Sequence, residues 1–226
     1  PESMLAQKIE KWEDALPENV KLAYLPNPMA VRLRLSAIGK DKNQLKKQVD
    51  GEIEKLQKII PDNIFGYDTD TLAGIIGKLL KEREKTLAIA ESCTGGYISH
   101  LITSAAGSSA YFKGAVTAYS NEIKEKLLGV KPKTLQENGA VSEQVAREMV
   151  LGVKGKMNAD YAISTTGIAG PEGGTTGKPV GTVWIAVAGE NKVLAEKYVF
   201  GDNRQRNIIR SSQTALQMLR RLILKD

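Results

Sequence analysis

The chain has 226 residues, of which 42% are hydrophobic and 26% are charged, a balance that is typical of a folded globular protein with a buried core. No apolar run approaches the ~18 residues that a membrane-spanning helix needs, so we expect a cytoplasmic protein without a membrane partner. The single cysteine, Cys93, excludes an intrachain disulfide and suits a reducing compartment. One histidine and one cysteine supply few ligands for a zinc site. We therefore expect neither a metal ion nor another cofactor.

The formal net charge of +6 is unevenly distributed. Residues 1–70 contain 11 Lys/Arg and 12 Asp/Glu, a net charge of −1, whereas residues 71–226 contain 21 and 14, a net charge of +7. A basic surplus favours an anionic partner, although solubility alone accounts for it equally well.

The first 68 residues predict a small α+β domain. Its elements follow from apolar periodicity and from turn residues such as the prolines of Pro26-Asn27-Pro28. In chain order they are a helix at 3–15, strands at 20–25 and 30–37, a helix at 43–59 and a short closing strand near 64–67.

Residues 69–226 predict a second domain in which strands alternate with helices. The expected helices are at 71–83, 94–103, 121–128, 142–157 and 203–224, and the expected strands are at 86–90, 114–119, 160–166, 180–188 and 192–200. The last two strands form a hairpin, which makes the sheet mixed but mostly parallel. This alternation predicts a three-layer α/β/α sandwich.

The sequence Glu-Ser-Cys-Thr-Gly-Gly at 91–96 joins a predicted strand to a predicted helix. Ser92 would stand at the end of the strand, where nucleophiles are exposed in other α/β folds. Thr94, Gly95 and Gly96 would place backbone N–H groups and the helix N-terminus near an anionic ligand. Alternatively, Ser92 or Thr94 only caps the helix. Cys93 is either a rival nucleophile or a small buried side chain.

Tyr119 ends the next predicted strand, and Lys124 lies about one turn into the helix that follows. A buried, neutral lysine can act as a base for a serine, and a tyrosine hydroxyl can relay the proton or hold the geometry. An exposed helix lysine with no such role is the alternative.

Two further segments predict anion binding. Thr165, Thr166, Gly167 and Gly170 belong to a loop that is rich in N–H and hydroxyl donors, unless it is simply flexible. Near the start of the last helix, Arg204, Arg206 and Arg210 oppose the helix dipole unless they bind phosphate or remain solvated. Residues 165–174 have the sequence TTGIAGPEGG, and residues 201–210 have the sequence GDNRQRNIIR.

Read together, these segments closely resemble the C-terminal domain of the CinA (competence/damage-inducible protein A) family, whose stand-alone members are nicotinamide-nucleotide amidases, also called PncC. Residues 1–68 resemble the KH-type middle domain of full-length CinA proteins, through PESMLAQKIEKW and VKLAYLPNPMAVRLRLSA. The C-terminal resemblance is carried by LAIAESCTGGYISHLITSAAGSSAYFKGAVTAYSNEIKEKLLGV, GAVSEQVAREM and STTGIAGPEGGTTGKPVGTVWIAV.

The resemblance implies a serine amidase that converts nicotinamide mononucleotide to nicotinic acid mononucleotide and ammonia. The family's catalytic serine, tyrosine and lysine correspond to Ser92, Tyr119 and Lys124, and its active-site threonine to Thr166. Gly201-Asp202-Asn203-Arg204 holds one residue more than the family's Gly-Asp-Arg, so the family's basic residue is either Arg204 or Arg206.

The resemblance also implies a further N-terminal domain, and because the first residue is Pro1 rather than Met we expect the chain to be part of a longer protein. We expect a homodimer or a higher homo-oligomer with a small nucleotide as its substrate. The rival interpretations are a regulatory module that binds nucleotide without catalysis, or a nucleic-acid-binding module. Two features of residues 1–70 argue against nucleic-acid binding. Their net charge is −1, and they lack Gly-x-x-Gly, the loop with which KH domains bind the nucleic-acid backbone.

Overall fold

The structure of the protein is a computed structural model that describes residues 2–27 and 30–226. The chain divides into two units, Pro1–Phe65 and Gly66–Asp226. The predicted turn at 26–28 includes Pro28, which lies outside the described residues. None of the helices within the described ranges is both long and apolar enough to cross a membrane.

The N-terminal unit packs two helices against a two-stranded antiparallel sheet. Its elements are α1 (Glu2–Asp14), β1 (Val20–Pro26), β2 (Val31–Ala37) and α2 (Lys42–Ile59). Their apolar faces enclose a small core of Ile9, Trp12, Leu56 and Ile60. The short strand expected near 64–67 is wrong, because these residues form an irregular segment from which Ile64 packs against that core.

The second unit is a five-stranded mixed sheet covered by helices on both faces. Its helices are α3 (Leu72–Glu82), α4 (Tyr97–Thr103), α5 (Asn121–Leu128), α6 (Pro132–Asn138), α7 (Glu143–Lys156) and α8 (Arg204–Ile223). Its strands are β3 (Leu87–Glu91), β4 (Phe112–Thr117), β5 (Tyr161–Gly167), β6 (Thr182–Ala188) and β7 (Val193–Val199). The spatial order is β4-β3-β5-β6-β7, and β6 runs opposite to the other four strands. The predicted fold class is confirmed.

Alternating side chains give the two faces of this sheet different partners. The face that α7 covers is lined by small residues, including Ala88, Ala162 and Ala186, against which the larger side chains of α7 pack. Side chains such as Ile89 and Ile163 point to the other face, which is covered by α8 together with α3 and α4. Because both faces are buried, the strands read as nearly continuous apolar runs.

Several element boundaries differ from those that the sequence predicts, and three of them affect the candidate site. Helix α4 begins at Tyr97 rather than at 94, because Gly95 and Gly96 form a left-handed turn with φ of 61° and 98°. Strand β4 ends at Thr117, two residues before Tyr119. Strand β5 continues through Gly167. Helix α6, which begins with Pro132 in its first turn, was not expected.

Helices α5 and α7 approach each other closely at Gly152. A Cβ atom built on Gly152 would lie only 1.8 Å from the carbonyl oxygen of Leu128, the last residue of α5. The absence of a side chain therefore sets the distance between the two helices.

We predict that Gly152→Ala lowers the free energy of unfolding by about 1–3 kcal/mol, because the added methyl group forces α5 and α7 apart. Gly155→Ala is the matched control: it lies on the same helix, and a Cβ there has no neighbour within 4 Å. That control should leave stability unchanged or raise it by up to ~1 kcal/mol. Thermal unfolding followed by circular dichroism measures both. A Gly152→Ala protein that melts as high as the Gly155→Ala protein would contradict the argument.

Candidate active site

A serine and a lysine meet in the interior of the second unit. The Nζ atom of Lys124, on α5, lies 3.1 Å from the Oγ atom of Ser92, which follows β3 directly. The lysine side chain is almost wholly buried, with 1% of its surface exposed, and Ser92 is 8% exposed. The structure thus brings together two of the residues that the sequence proposed as catalytic.

Two backbone carbonyl groups complete the surroundings of the Lys124 amine. Its Nζ atom donates to the carbonyl oxygen of Ala118 at 2.9 Å and to that of Tyr119 at 3.3 Å. A neutral amine has two N–H bonds and one lone pair. When both N–H bonds point to the carbonyl groups, the lone pair is left for the hydroxyl proton of Ser92.

Burial favours this neutral state. It lowers the pKa of Lys124 from the ordinary lysine value, because the charged ammonium loses its hydration, while the Cys93 thiol beside it acts in the opposite direction. None of the ion pairs in the described residues involves Lys124. The lysine is therefore suited to accept a proton rather than to hold a permanent charge.

The turn that carries Ser92 is anchored to the neighbouring strand β5. The N–H of Ser92 donates to the carbonyl oxygen of Thr165 at 3.0 Å, and the hydroxyl groups of Thr94 and Thr165 are 2.8 Å apart. Thr94 is 2% exposed and Thr165 is fully buried. The buried hydroxyl groups of Thr94 and Thr165 therefore connect the turn to β5.

Cys93 follows Ser92 in the chain but has the properties of a buried filler. Its side chain is 7% exposed, and burial raises the pKa of its thiol to about 12. Because the thiolate is the nucleophilic form, a thiol with this pKa is unreactive near neutral pH. The geometry favours Ser92 over Cys93 as the nucleophile.

The N–H groups of Gly95 and Gly96, which the sequence offered to a ligand, already have protein acceptors. Gly95 donates to the carbonyl oxygen of Ser92 at 3.1 Å, and Gly96 donates to the carboxylate of Glu91 at 3.0 Å. The N–H groups of Gly95 and Gly96 are therefore not free to bind a ligand, contrary to the prediction. Where the structure describes this turn, the N–H groups of Cys93 and Thr94 donate to no backbone carbonyl group, and the N–H of Cys93 contacts the sulfur of its own side chain.

The threonines predicted in the glycine-rich loop lie inside the sheet instead. Thr165, Thr166 and Gly167 are the last three residues of β5, so the loop begins only after them. The Thr166 hydroxyl is 1% exposed and donates to the carbonyl oxygen of Ala140 at 2.7 Å. The predicted strand at 160–166 already contained Thr165 and Thr166 and is borne out for both, whereas their assignment to the loop was wrong, because pairing of β5 with β6 extends to Gly167. That Thr166 contacts a substrate stays a prediction.

An arginine connects the loop to the edge of the site. The guanidinium of Arg204 donates from Nη1 to the carbonyl oxygen of Gly170 at 2.8 Å and from Nη2 to the Tyr119 hydroxyl at 3.0 Å. Tyr119 is 61% exposed, and its hydroxyl contacts Arg204 rather than the proton path from Ser92 to Lys124. The catalytic role of Tyr119, whether as a proton relay or in holding the geometry, stays a prediction.

The additional residue near α8 has a structural role. Asn203 is the N-cap of α8, and its side chain accepts from the N–H of Arg206 at 3.0 Å. Arg204 is consequently the first residue of the helix. Both arginines are exposed, but the Arg204 guanidinium donates to Tyr119 and Gly170, whereas no side-chain hydrogen bond of Arg206 is found in the described residues. Of the two candidates, Arg204 is the one that lies at the site.

Glu91, for which the sequence indicates no role, lies beneath the turn that carries Ser92. This residue is fully buried, and its carboxylate accepts hydrogen bonds from the start of α4. The available signal was Gly96, a residue without a side chain, at the N-cap position that Ser, Thr, Asp or Asn prefers. Within residues 2–27 and 30–226, no group of three or more His, Cys, Asp or Glu side chains could hold a metal ion.

Two family models together match nearly the whole chain. Residues 69–223 match the CinA C-terminal domain, and residues 1–66 match the KH domain of the damage-inducible protein CinA. A CinA-like protein of Flavobacterium psychrophilum is 48% identical over all of this chain and 54% of its own length. One from Thermosynechococcus vestitus is 44% identical over 99% of this chain and 54% of its own length. The chain thus spans about half the length of the curated relatives it matches.

Solved structures match over the larger part of the chain. The competence/damage-inducible protein CihA of Agrobacterium tumefaciens is 39% identical with a TM-score of 0.67, over 70% of this chain and 98% of its own. A CinA superfamily protein of Escherichia coli is 30% identical with a TM-score of 0.64, over 73% of this chain and 98% of its own.

Proposed function

The chain belongs to the CinA family, and from this premise we propose that it is a serine amidase that deamidates nicotinamide mononucleotide to nicotinic acid mononucleotide and ammonia. The observation that carries the proposal is the buried contact of 3.1 Å between Lys124 Nζ and Ser92 Oγ. A serine hydroxyl is a weak nucleophile unless an adjacent base removes its proton. The lysine, with both N–H bonds directed to carbonyl groups, supplies that base.

In the proposed reaction, Ser92 Oγ attacks the carboxamide carbon of the substrate while its proton moves to Lys124. The carbonyl oxygen becomes an oxyanion, for which the N–H groups of Cys93 and Thr94 are the available donors. Lys124 then returns the proton to the amide nitrogen, and ammonia leaves. An acyl ester on Ser92 remains, and Lys124 activates the water molecule that hydrolyses it.

The basic group at the edge of the site favours an anionic substrate. Tyr119 lies between the catalytic pair and the arginine: its carbonyl group contacts Lys124, and its hydroxyl contacts Arg204. A substrate with its amide at Ser92 would therefore extend along Tyr119 toward the guanidinium. A nicotinamide ring followed by ribose phosphate suits this arrangement, because arginine binds phosphate through paired N–H donors.

We predict that Ser92→Ala abolishes ammonia release from nicotinamide mononucleotide, with a loss of at least about 10³-fold in kcat, because no other group can form the acyl ester. Cys93→Ala, one residue away, is the control and should keep most of the activity. Coupled detection of ammonia and mass detection of the acid product measure both. An active serine variant beside an inactive cysteine variant would overturn the assignment.

We predict that kcat/KM rises with pH through the pKa of Lys124 and then levels off, since only the neutral amine accepts a proton. Because burial lowers this pKa, the rise should be centred below the ordinary lysine value of about 10.4. Lys124→Arg, which stays charged, should lose about 10²–10⁴-fold in kcat with little change in KM. A rate that falls as the pH increases toward that ordinary value would contradict the role of Lys124 as the base.

We predict that Arg204→Ala raises KM for the nucleotide about 10- to 100-fold with a small effect on kcat, as expected for a lost charge-assisted hydrogen bond of about 1.5–3 kcal/mol. Arg206→Ala, two residues along the same helix, is the matched control and should behave like the parent. The Arg204 variant should also discriminate less between the nucleotide and its dephosphorylated riboside. Parental discrimination in that variant would place the phosphate elsewhere.

A further inference from the structure

The carboxylate of Glu91 is held by four hydrogen bonds from the start of α4. One oxygen accepts from the N–H groups of Gly96 at 3.0 Å and Ile98 at 3.1 Å. The other accepts from the N–H of Ser99 at 2.9 Å and from its hydroxyl at 2.6 Å. Glu91 is fully buried, and no ion pair in the described part of the chain involves it. The donors of α4 alone satisfy this charge.

This arrangement joins the two ends of the turn that carries Ser92. Glu91 is the last residue of β3, and its carboxylate oxygens accept hydrogen bonds from the start of α4. The first of these donors is Gly96, so only residues 92–95 lie between the two hydrogen-bonded residues. Gly95 and Gly96 both adopt a left-handed backbone conformation, and Gly96 offers no side chain as a cap. The shape of the turn therefore depends on a side chain outside it.

The same hydrogen bonds decide which N–H groups remain available beside Ser92. The N–H groups of Gly96, Ile98 and Ser99 already donate to the carboxylate of Glu91. The preceding N–H groups, of Cys93 and Thr94, donate to no backbone carbonyl group within the described residues, and that of Cys93 contacts only the sulfur of its own side chain. An oxyanion donor contributes about 10²–10³-fold in rate only when its position is fixed before the reaction.

We propose that Glu91 is a positioning residue for the nucleophile: its carboxylate fixes the 92–95 turn so that the Ser92 hydroxyl and the N–H groups of Cys93 and Thr94 face one acyl group. The proposal rests on the proposed function for the identity of the acyl group, but not for the reactivity of Ser92. Glu91 touches no reacting atom, and it acts through the turn alone.

The test compares Glu91→Gln with the parent in two assays. The first is the rate at which a small fluorophosphonate probe labels Ser92, followed by mass spectrometry. The second is steady-state deamidation of nicotinamide mononucleotide. Glutamine has the same shape, but its NH₂ group cannot accept the two hydrogen bonds that one carboxylate oxygen of Glu91 accepts. We expect labelling and kcat each to fall about 10²-fold, with KM within about twofold of the parent, because Arg204 is untouched.

The rate and the extent of labelling separate positioning from folding. A loss of folded protein lowers the fraction of Ser92 that is finally labelled, whereas a misplaced turn slows labelling of the full amount. Glu52→Gln is the matched control: Glu52 is a second buried carboxylate, 5% exposed, which accepts from Trp12 at 3.1 Å in the N-terminal unit. That variant should label at the parental rate.

Each outcome bears on the proposal. Parental labelling in Glu91→Gln overturns it, and so does a parent whose Ser92 is not labelled at all. If the parent releases no ammonia but the labelling results hold, the proposed substrate fails and the role of Glu91 stands. Should Glu91→Gln not fold, Ser99→Ala removes one of the four donors and keeps the charge. It should slow labelling several-fold, and an unchanged rate there also overturns the proposal.

Discussion

The buried hydrogen bond between Lys124 and Ser92 is the constraint on which the site depends. A lysine in the interior loses the hydration of its charge, so the surrounding structure must provide acceptors for its N–H bonds. The carbonyl groups of Ala118 and Tyr119 do so because the chain turns sharply between β4 and α5, where Ser120 caps the helix. The close approach at Gly152 sets the distance between α7 and α5, the helix that carries Lys124.

Two of the buried ionisable groups at the site, Lys124 and Glu91, lie in contrasting environments. The amine of Lys124 is buried and belongs to none of the ion pairs of the described residues, and burial favours its neutral form, while two carbonyl groups and the Ser92 hydroxyl lie within hydrogen-bond distance of it. The carboxylate of Glu91 has four donors, an environment that compensates a charge. This difference separates their roles, since a proton acceptor must change its charge during the reaction, whereas a group that fixes geometry must not. Because the N–H groups at the start of α4 already donate to Glu91, we propose that Arg204, and not α4, binds the anionic part of the substrate.

The sequence was sufficient for the fold class, because apolar periodicity and strand–helix junctions are local signals. For Ser92 and Lys124 it offered two such junctions and the resemblance to the CinA family, and the contact between the two side chains is evident only in the structure. It was insufficient where a distant residue decides the outcome. The start of α4 depends on Glu91, which caps the helix from the preceding strand. Thr166 reads as a loop residue until its strand pairs with β6. The choice between Arg204 and Arg206 required the Asn203 cap, which is evident only once the first turn of α8 is formed.

The groups that we assign to chemistry and binding all lie in the unit Gly66–Asp226. Serine, lysine, carboxylate and arginine are contributed by β3, α5 and α8 and by the segments that adjoin them, which share one sheet and its covering helices. The Agrobacterium protein matches this chain over 98% of its own length but only 70% of ours, so a fold of this kind exists with little added to it. A site whose supporting contacts all come from one unit requires no side chain from the other. The deamidation that we propose should therefore be a property of that unit, whatever the KH-type unit contributes.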